Sequence, residues 1–199
     1  MPAARLTQLR ANLTRARDLV GLGQSIGQLT YGRVDGSDLY RAGLVQAVAA
    51  LDTYVHAIVE DRAVDIVVGR LVATAPGMKF GLTPTAVAEI LTAGSPGLIE
   101  QAARKHVAQR LALDTYQRPD DIAVALASVG ISKIWSTAFA DPQTARTALG
   151  LIVTRRNLIV HQCDVDPLTP GSVIPLAASD VLDAVATVEA TLTAIDRLC

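Results

Sequence analysis

The chain has 199 residues, half of them hydrophobic, with only 4% aromatics and a formal net charge of -1. That length suits one domain with a sizeable core. The near-neutral charge excludes a protein that coats nucleic acid with a broad basic face, so any contact with RNA is confined to a small local site. Charged residues make up 19% of the chain, below the usual quarter. A face buried against another subunit is therefore expected. Cys163 and Cys199 have no close spacing and define neither a disulfide framework nor a zinc site. They read as two free thiols in a reducing cytoplasm.

In chain order, residues Leu6 to Val20 predict a polar, arginine-rich amphipathic helix. The next stretch, Gly21 to Gly36, holds glycines at 21, 23, 27, 32 and 36 and predicts an irregular loop. Ser37 or Asp38 then caps a long helix running from Leu39 towards Leu71. Its apolar residues lie almost all round, which places it at the centre of the core. The most apolar part, Leu39 to Val59, carries Arg41, Asp52 and His56, which a membrane span accepts only at a cost. The N-terminal residues lack the apolar stretch of a signal peptide. A soluble, cytoplasmic protein with no membrane partner is expected.

Thr83-Pro84 and Ser95-Pro96 each open a helix with a cap followed by proline. Gly94 closes the first, and the second runs towards Leu113. Pro119 and Asp120 open a third that ends near Gly130. A short helix follows around Ile134, Trp135 and Phe139, whose aromatic rings read as core. Asp141-Pro142 opens the helix through QTARTALGLIVTRRNLIVHQ. Residues Cys163 to Pro175 must form a loop, in which SVIPL can pair as a short extension. Ser179 and Asp180 cap a last helix with an apolar stripe of Val181, Val185, Val188, Leu192 and Ile195. The expectation is an all-α single domain over 1–199, with an insertion of short helices roughly between residues 76 and 140.

The chemistry lies in RRNLIVH, residues 155 to 161. Arg156 and His161 are separated by about 140° of rotation and about 7.5 Å of rise on a regular helix. Asn157 and His161 share a face at i and i+4, while Arg155 points elsewhere. An imidazole can take the proton of a ribose 2′-hydroxyl or protonate the leaving oxygen. A guanidinium can hold a phosphate through two hydrogen bonds and stabilise its growing charge. An asparagine can fix the imidazole tautomer or contact the ribose. No metal-ligand spacing and no cofactor motif accompanies these residues. On spacing alone, a surface arginine and a helix-end histidine well placed in the helix dipole are the favoured account.

RRNLIVHQCDVDP resembles the signature of the HEPN superfamily, closest to its RiboL-PSP-HEPN branch. The likeness extends to LYRAGLVQAVAALDTYVHAIV, to DDIAVALASVGISKIW, and to the proline loop followed by a final amphipathic helix. The resemblance implies a HEPN-like helical bundle that forms a homodimer and cleaves RNA without a metal. It also implies a toxin–antitoxin or antiphage defence setting, with an antitoxin or defence-system partner. It assigns the catalytic positions to Arg156, Asn157 and His161. Two positions depart from the pattern. Gln162 stands where related sequences often have an acidic residue, the nearest carboxylates being Asp164 and Asp166. Cys163 replaces a tyrosine that is modified in another branch, so that form of regulation is not expected.

Other residues carry weaker signals. Asp52 and His56, at i and i+4, read either as an auxiliary acid and histidine facing the motif helix or as a satisfied polar pair. His106 reads as part of a solvated face, and Arg104, Lys105 and Arg110 either contact an RNA backbone or form a wet charged surface. Two functional readings follow. One is a homodimeric ribonuclease whose twofold axis doubles the polar groups of one cleft. The other is a non-catalytic helical interaction or nucleotide-sensing subunit of a larger defence complex. Convergence of Arg156 and His161 in one solvent-accessible cleft across a dimer favours the first, and their burial in separate environments favours the second.

Overall fold

The computed structural model describes residues 2–72, 80–169 and 171–199. Among them lie eight α-helices and no strand: α1 (Pro2–Leu29), α2 (Ser37–Val67), α3 (Pro84–Leu91), α4 (Pro96–Leu111), α5 (Pro119–Ser128), α6 (Ile134–Ala138), α7 (Pro142–Gln162) and α8 (Ala178–Asp196). The all-α expectation holds. The SVIPL stretch contributes one isolated antiparallel bridge, between Val165 and Val173. Residue 76, where the short-helix insertion was expected to begin, lies outside the described residues.

The central helix is α2, as its all-round apolar pattern requires. Leu44, Ala47, Val48, Leu51, Val55, Ile58, Val59 and Val64 are buried along it, and α1, α4, α5, α7 and α8 all pack on it. By length and composition α2 could also cross a membrane, yet 56% of its apolar window is buried. Covering helices account for its hydropathy. The short helices share the same core, to which Ile90, Val107, Ile122, Leu126 and Ile134 all belong.

Two expectations at the first connection are corrected. The first helix does not stop near Val20 but continues through Gly21, Gly23 and Gly27 to Leu29. Glycine is permitted in that extension because the chain comes close to itself there. A Cβ on Gly23 would stand 2.7 Å from the Tyr40 ring and 2.8 Å from the Gly36 carbonyl oxygen. A Cβ on Gly36 would in turn collide with the Gly23 backbone. The pair lets the end of α1 lie directly against the start of α2. Nor do the Ser37 and Asp38 side chains cap α2, whose N-cap is Gly36 without a side-chain bond. Asp35 instead accepts from the Ser37 amide at 2.8 Å and from its hydroxyl at 2.7 Å. The long helix ends at Val67, short of Leu71, and Gly69 turns the chain with φ of +77°. At α8 the N-cap is Ala177, and Asp180 accepts from its amide at 2.8 Å.

The glycines of α1 separate two effects. A Cβ on Gly27 meets nothing within 4 Å, so Gly27→Ala should stabilise the protein by about 0.5–1 kcal/mol through helix propensity. Gly23→Ala should destabilise it by about 1–3 kcal/mol, because the added methyl forces α1 from α2. Equilibrium denaturation of both variants checks the opposite signs.

Candidate functional site

Helix α7 starts at Asp141, whose carboxylate accepts from the Thr144 amide at 3.0 Å, with Pro142 in the first turn. Only Leu149 and Val153 of its 21 residues are fully buried. Ile152 and Ile159 pack beside them against the core. The helix is a rim element with one side left open.

That open side is where the motif falls. Gly150, Thr154, Asn157 and His161 follow one another at spacings of four, three and four, and so share one face. They form one wall of a cleft of about 550 Å³, together with Val153, Leu158 and Gln162. Arg118, Pro119 and Asp120, at the start of α5, form the opposite wall. His161 is exposed on this wall. It stands in the last turn of α7, where the helix dipole favours a positive charge.

Arg156 is turned away from this face. It follows Ile152 and Val153 at helical spacing, towards the core-facing side, and is half-buried. Its Nη1 donates to Asn157 Oδ1 at 3.0 Å, and its Nε is buried with no hydrogen-bond partner among the described residues. Asn157 thus joins the two motif groups. Its oxygen accepts from Arg156, which leaves the Nδ2 hydrogens as donors at the cleft wall.

The end of α7 is fixed by residues that the motif does not contain. Cys163 and Asp164 both take left-handed conformations, with φ of 51° and 57°, and the Cys163 and Asp164 amides both donate to the Leu158 carbonyl. The Asp164 side chain is wholly buried. Its Oδ2 accepts from Arg41 Nε at 2.8 Å and from Arg155 Nη2 at 2.8 Å. Both arginines also donate to the Ile174 carbonyl, at 3.0 and 2.9 Å, and the Ile174 amide donates to the Asp164 carbonyl at 2.9 Å. Arg155 does point away from the cleft, as expected, and into this network. An arginine inside the apolar run of α2 was the available signal, since a buried guanidinium demands a carboxylate.

No family model, no curated protein and no solved structure matches the chain. The site therefore rests on its own geometry.

Asp52 and His56 are not hydrogen-bonded to the motif. Asp52 accepts from the Tyr116 amide at 2.5 Å and from Gln117 Nε2 at 3.4 Å. His56 Nε2 donates to the Asp114 carbonyl at 3.0 Å, and its ring packs on Tyr116 with centroids 4.4 Å apart. Their work is to fasten the 112–118 loop to α2, directly before Arg118. Trp135 adds a second fastening, donating from Nε1 to the Pro119 carbonyl at 2.9 Å. It is buried and stacked on Phe139. The basic cluster on α4 is internally neutralised. Arg104 pairs with Glu60 and Asp61, Lys105 and His106 with Glu89, and Arg110 with Asp114. Both cysteines are free thiols, and burial pushes that of Cys199 up to about 11.

Removing the Asp164 carboxylate leaves two guanidinium groups facing each other with little water. Asp164→Ala should cost about 3–5 kcal/mol, the usual penalty for breaking a buried pair from one side. Asp164→Asn should cost less, since asparagine tolerates the left-handed conformation and still accepts a hydrogen bond. Urea denaturation of both variants gives the order, and equal stability of Asp164→Ala and wild type would remove the network from this role.

Proposed function

We propose that the chain is a HEPN-like endoribonuclease that cleaves RNA without a metal, working as a cytoplasmic homodimer in a toxin or antiphage defence system. One observation carries the reading: His161 stands exposed in an open cleft, beside an Asn157 that is bonded to Arg156. The all-α architecture and the open face of α7 accord with it.

In this reading a base takes the proton of a ribose 2′-hydroxyl. The freed oxygen attacks the adjacent phosphorus, the bond to the 5′-oxygen breaks, and that oxygen receives a proton. The products are a 2′,3′-cyclic phosphate and a 5′-hydroxyl. His161 performs one proton transfer, and the second copy of His161 in a dimer performs the other. Arg156, which lies outside the lining of this cleft, contributes its positive charge to the phosphate through its bond to Asn157. Asn157 sets the Arg156 guanidinium and offers its amide hydrogens to the ribose or phosphate. Exposed apolar residues on α7, Leu151 and Val160, and on the following loop, Val165 and Val173, supply surface for a partner subunit.

The test is cleavage of a mixed RNA pool by wild type, H161A, R156A and R156K, with and without EDTA, alongside melting temperatures. His161→Ala should lower the rate by about 10²–10⁴-fold and Arg156→Ala by about 10²–10³-fold. Lysine at 156 should restore little, because an ammonium lacks the planar fork of a guanidinium. His161 is exposed, so H161A should melt with wild type. Undiminished cleavage by H161A refutes the mechanism. A folded wild type that leaves RNA intact favours the non-catalytic interaction subunit.

A further inference from the structure

We propose that Arg118, on the wall opposite the motif, holds the substrate phosphate against His161. This deepens the ribonuclease reading and rests on it for the identity of the ligand as RNA.

The cleft needs a cation where the ligand lies, and Arg156 does not line it. About 140° of helix rotation separates Arg156 from His161, and its guanidinium is engaged by Asn157. Arg118 does line the cleft, together with Asn157 and His161. It is exposed, and no carboxylate among the described residues pairs with it. The one carboxylate on the cleft wall, Asp120, is taken by Arg146 at 2.5 Å, so its repulsion of a phosphate is offset. The backbone that carries Arg118 is held from two sides. Asp52 binds the amide and side chain of the two preceding residues, and Trp135 binds the carbonyl of the following one. A free guanidinium on fixed backbone is the arrangement that suits a phosphate, which it meets through two parallel hydrogen bonds.

The α7 wall of the cleft agrees. Gly150 lies mid-helix, where glycine costs about 1 kcal/mol relative to alanine. A Cβ there would meet nothing within 4 Å, so packing does not demand the glycine. Its absent side chain leaves depth for a ligand between α5 and α7. The ligand class is thus a phosphodiester, its phosphate on Arg118 and its sugar towards Asn157 and His161.

The experiment uses the full chain and two probes. Inorganic phosphate is titrated while the His161 imidazole resonances are followed by NMR. A 2′-O-methyl RNA oligonucleotide, which cannot undergo the cleavage, is titrated at several salt concentrations. Wild type should show phosphate-dependent shifts of His161, and Arg118→Ala should abolish them. For the oligonucleotide, Arg118→Ala should weaken binding about tenfold and reduce the salt dependence by about one phosphate contact. Arg118→Lys should keep the salt dependence but recover only part of the affinity. Arg197→Ala, which removes an exposed arginine at the end of α8, should change neither. Wild-type-like binding by Arg118→Ala, or His161 resonances indifferent to phosphate, overturns the proposal. Binding that depends on Arg118 in a protein that leaves RNA intact supports the phosphate site while the nuclease reading falls. Cleavage by Arg118→Ala with unchanged kcat and KM does the reverse.

Discussion

The buried carboxylate of Asp164 is the constraint on which the site depends. It lies two residues beyond α7 and receives an arginine from α2 and another from α7 itself. Desolvating one anion and two cations is expensive, and a single such network seldom raises stability above an apolar alternative. What it does supply is position. The two left-handed residues at 163 and 164 cost of order 1–2 kcal/mol each relative to a right-handed path. They persist because the side chain of the second is gripped from both helices. The last turn of α7, with His161 in it, therefore has one place to stand.

The opposite wall is fixed by separate means. The 112–118 loop has no regular structure of its own, yet Asp52 and His56 bind it to α2 and Trp135 binds the start of α5. Both walls of the cleft are thus referred to the same central helix, through Arg41 on one side and Asp52 on the other. A long helix buried nearly all round serves as the frame, and its few polar residues are the points at which the cleft is hung.

How far the sequence revealed this depends on the range of the interaction. Helix starts at Thr83-Pro84, Ser95-Pro96 and Asp141-Pro142 were legible, because capping and proline chemistry act within four residues. The shared face of Asn157 and His161 was legible from the helical period. The extension of α1 past Gly21 was not. Its glycines answer to a backbone contact between Gly23 and Gly36, and local propensity assigns such residues to a loop. Asp164 drew notice only as a carboxylate near the motif. Its partner Arg41 lies 123 positions away, and no local pattern joins them. Arg118 escaped for the same reason, since only packing of α5 against α7 sets it opposite His161. Asp52 and His56 share a face at i and i+4, but their partners are set by the 112–118 loop, which that spacing does not show.

Adjacent arginines at 155 and 156 show how much a single step of rotation decides. A helix turns about 100° per residue, enough to send Arg155 to a carboxylate and Arg156 to an amide. Asp164 is already shared by Arg41 and Arg155, and its remaining oxygen is buried. Arg156 is left with a neutral acceptor in Asn157. A guanidinium paired with a carboxylate has its charge largely cancelled for any third group, whereas one bonded to an amide oxygen keeps its field. The network that fixes the helix end thereby also absorbs the Asp164 carboxylate. The positive charge of Arg156 stays uncancelled beside a cleft whose other wall offers Arg118, in a chain whose net charge is slightly negative. Local anion affinity here comes from how a few carboxylates are assigned, with no excess of basic residues required.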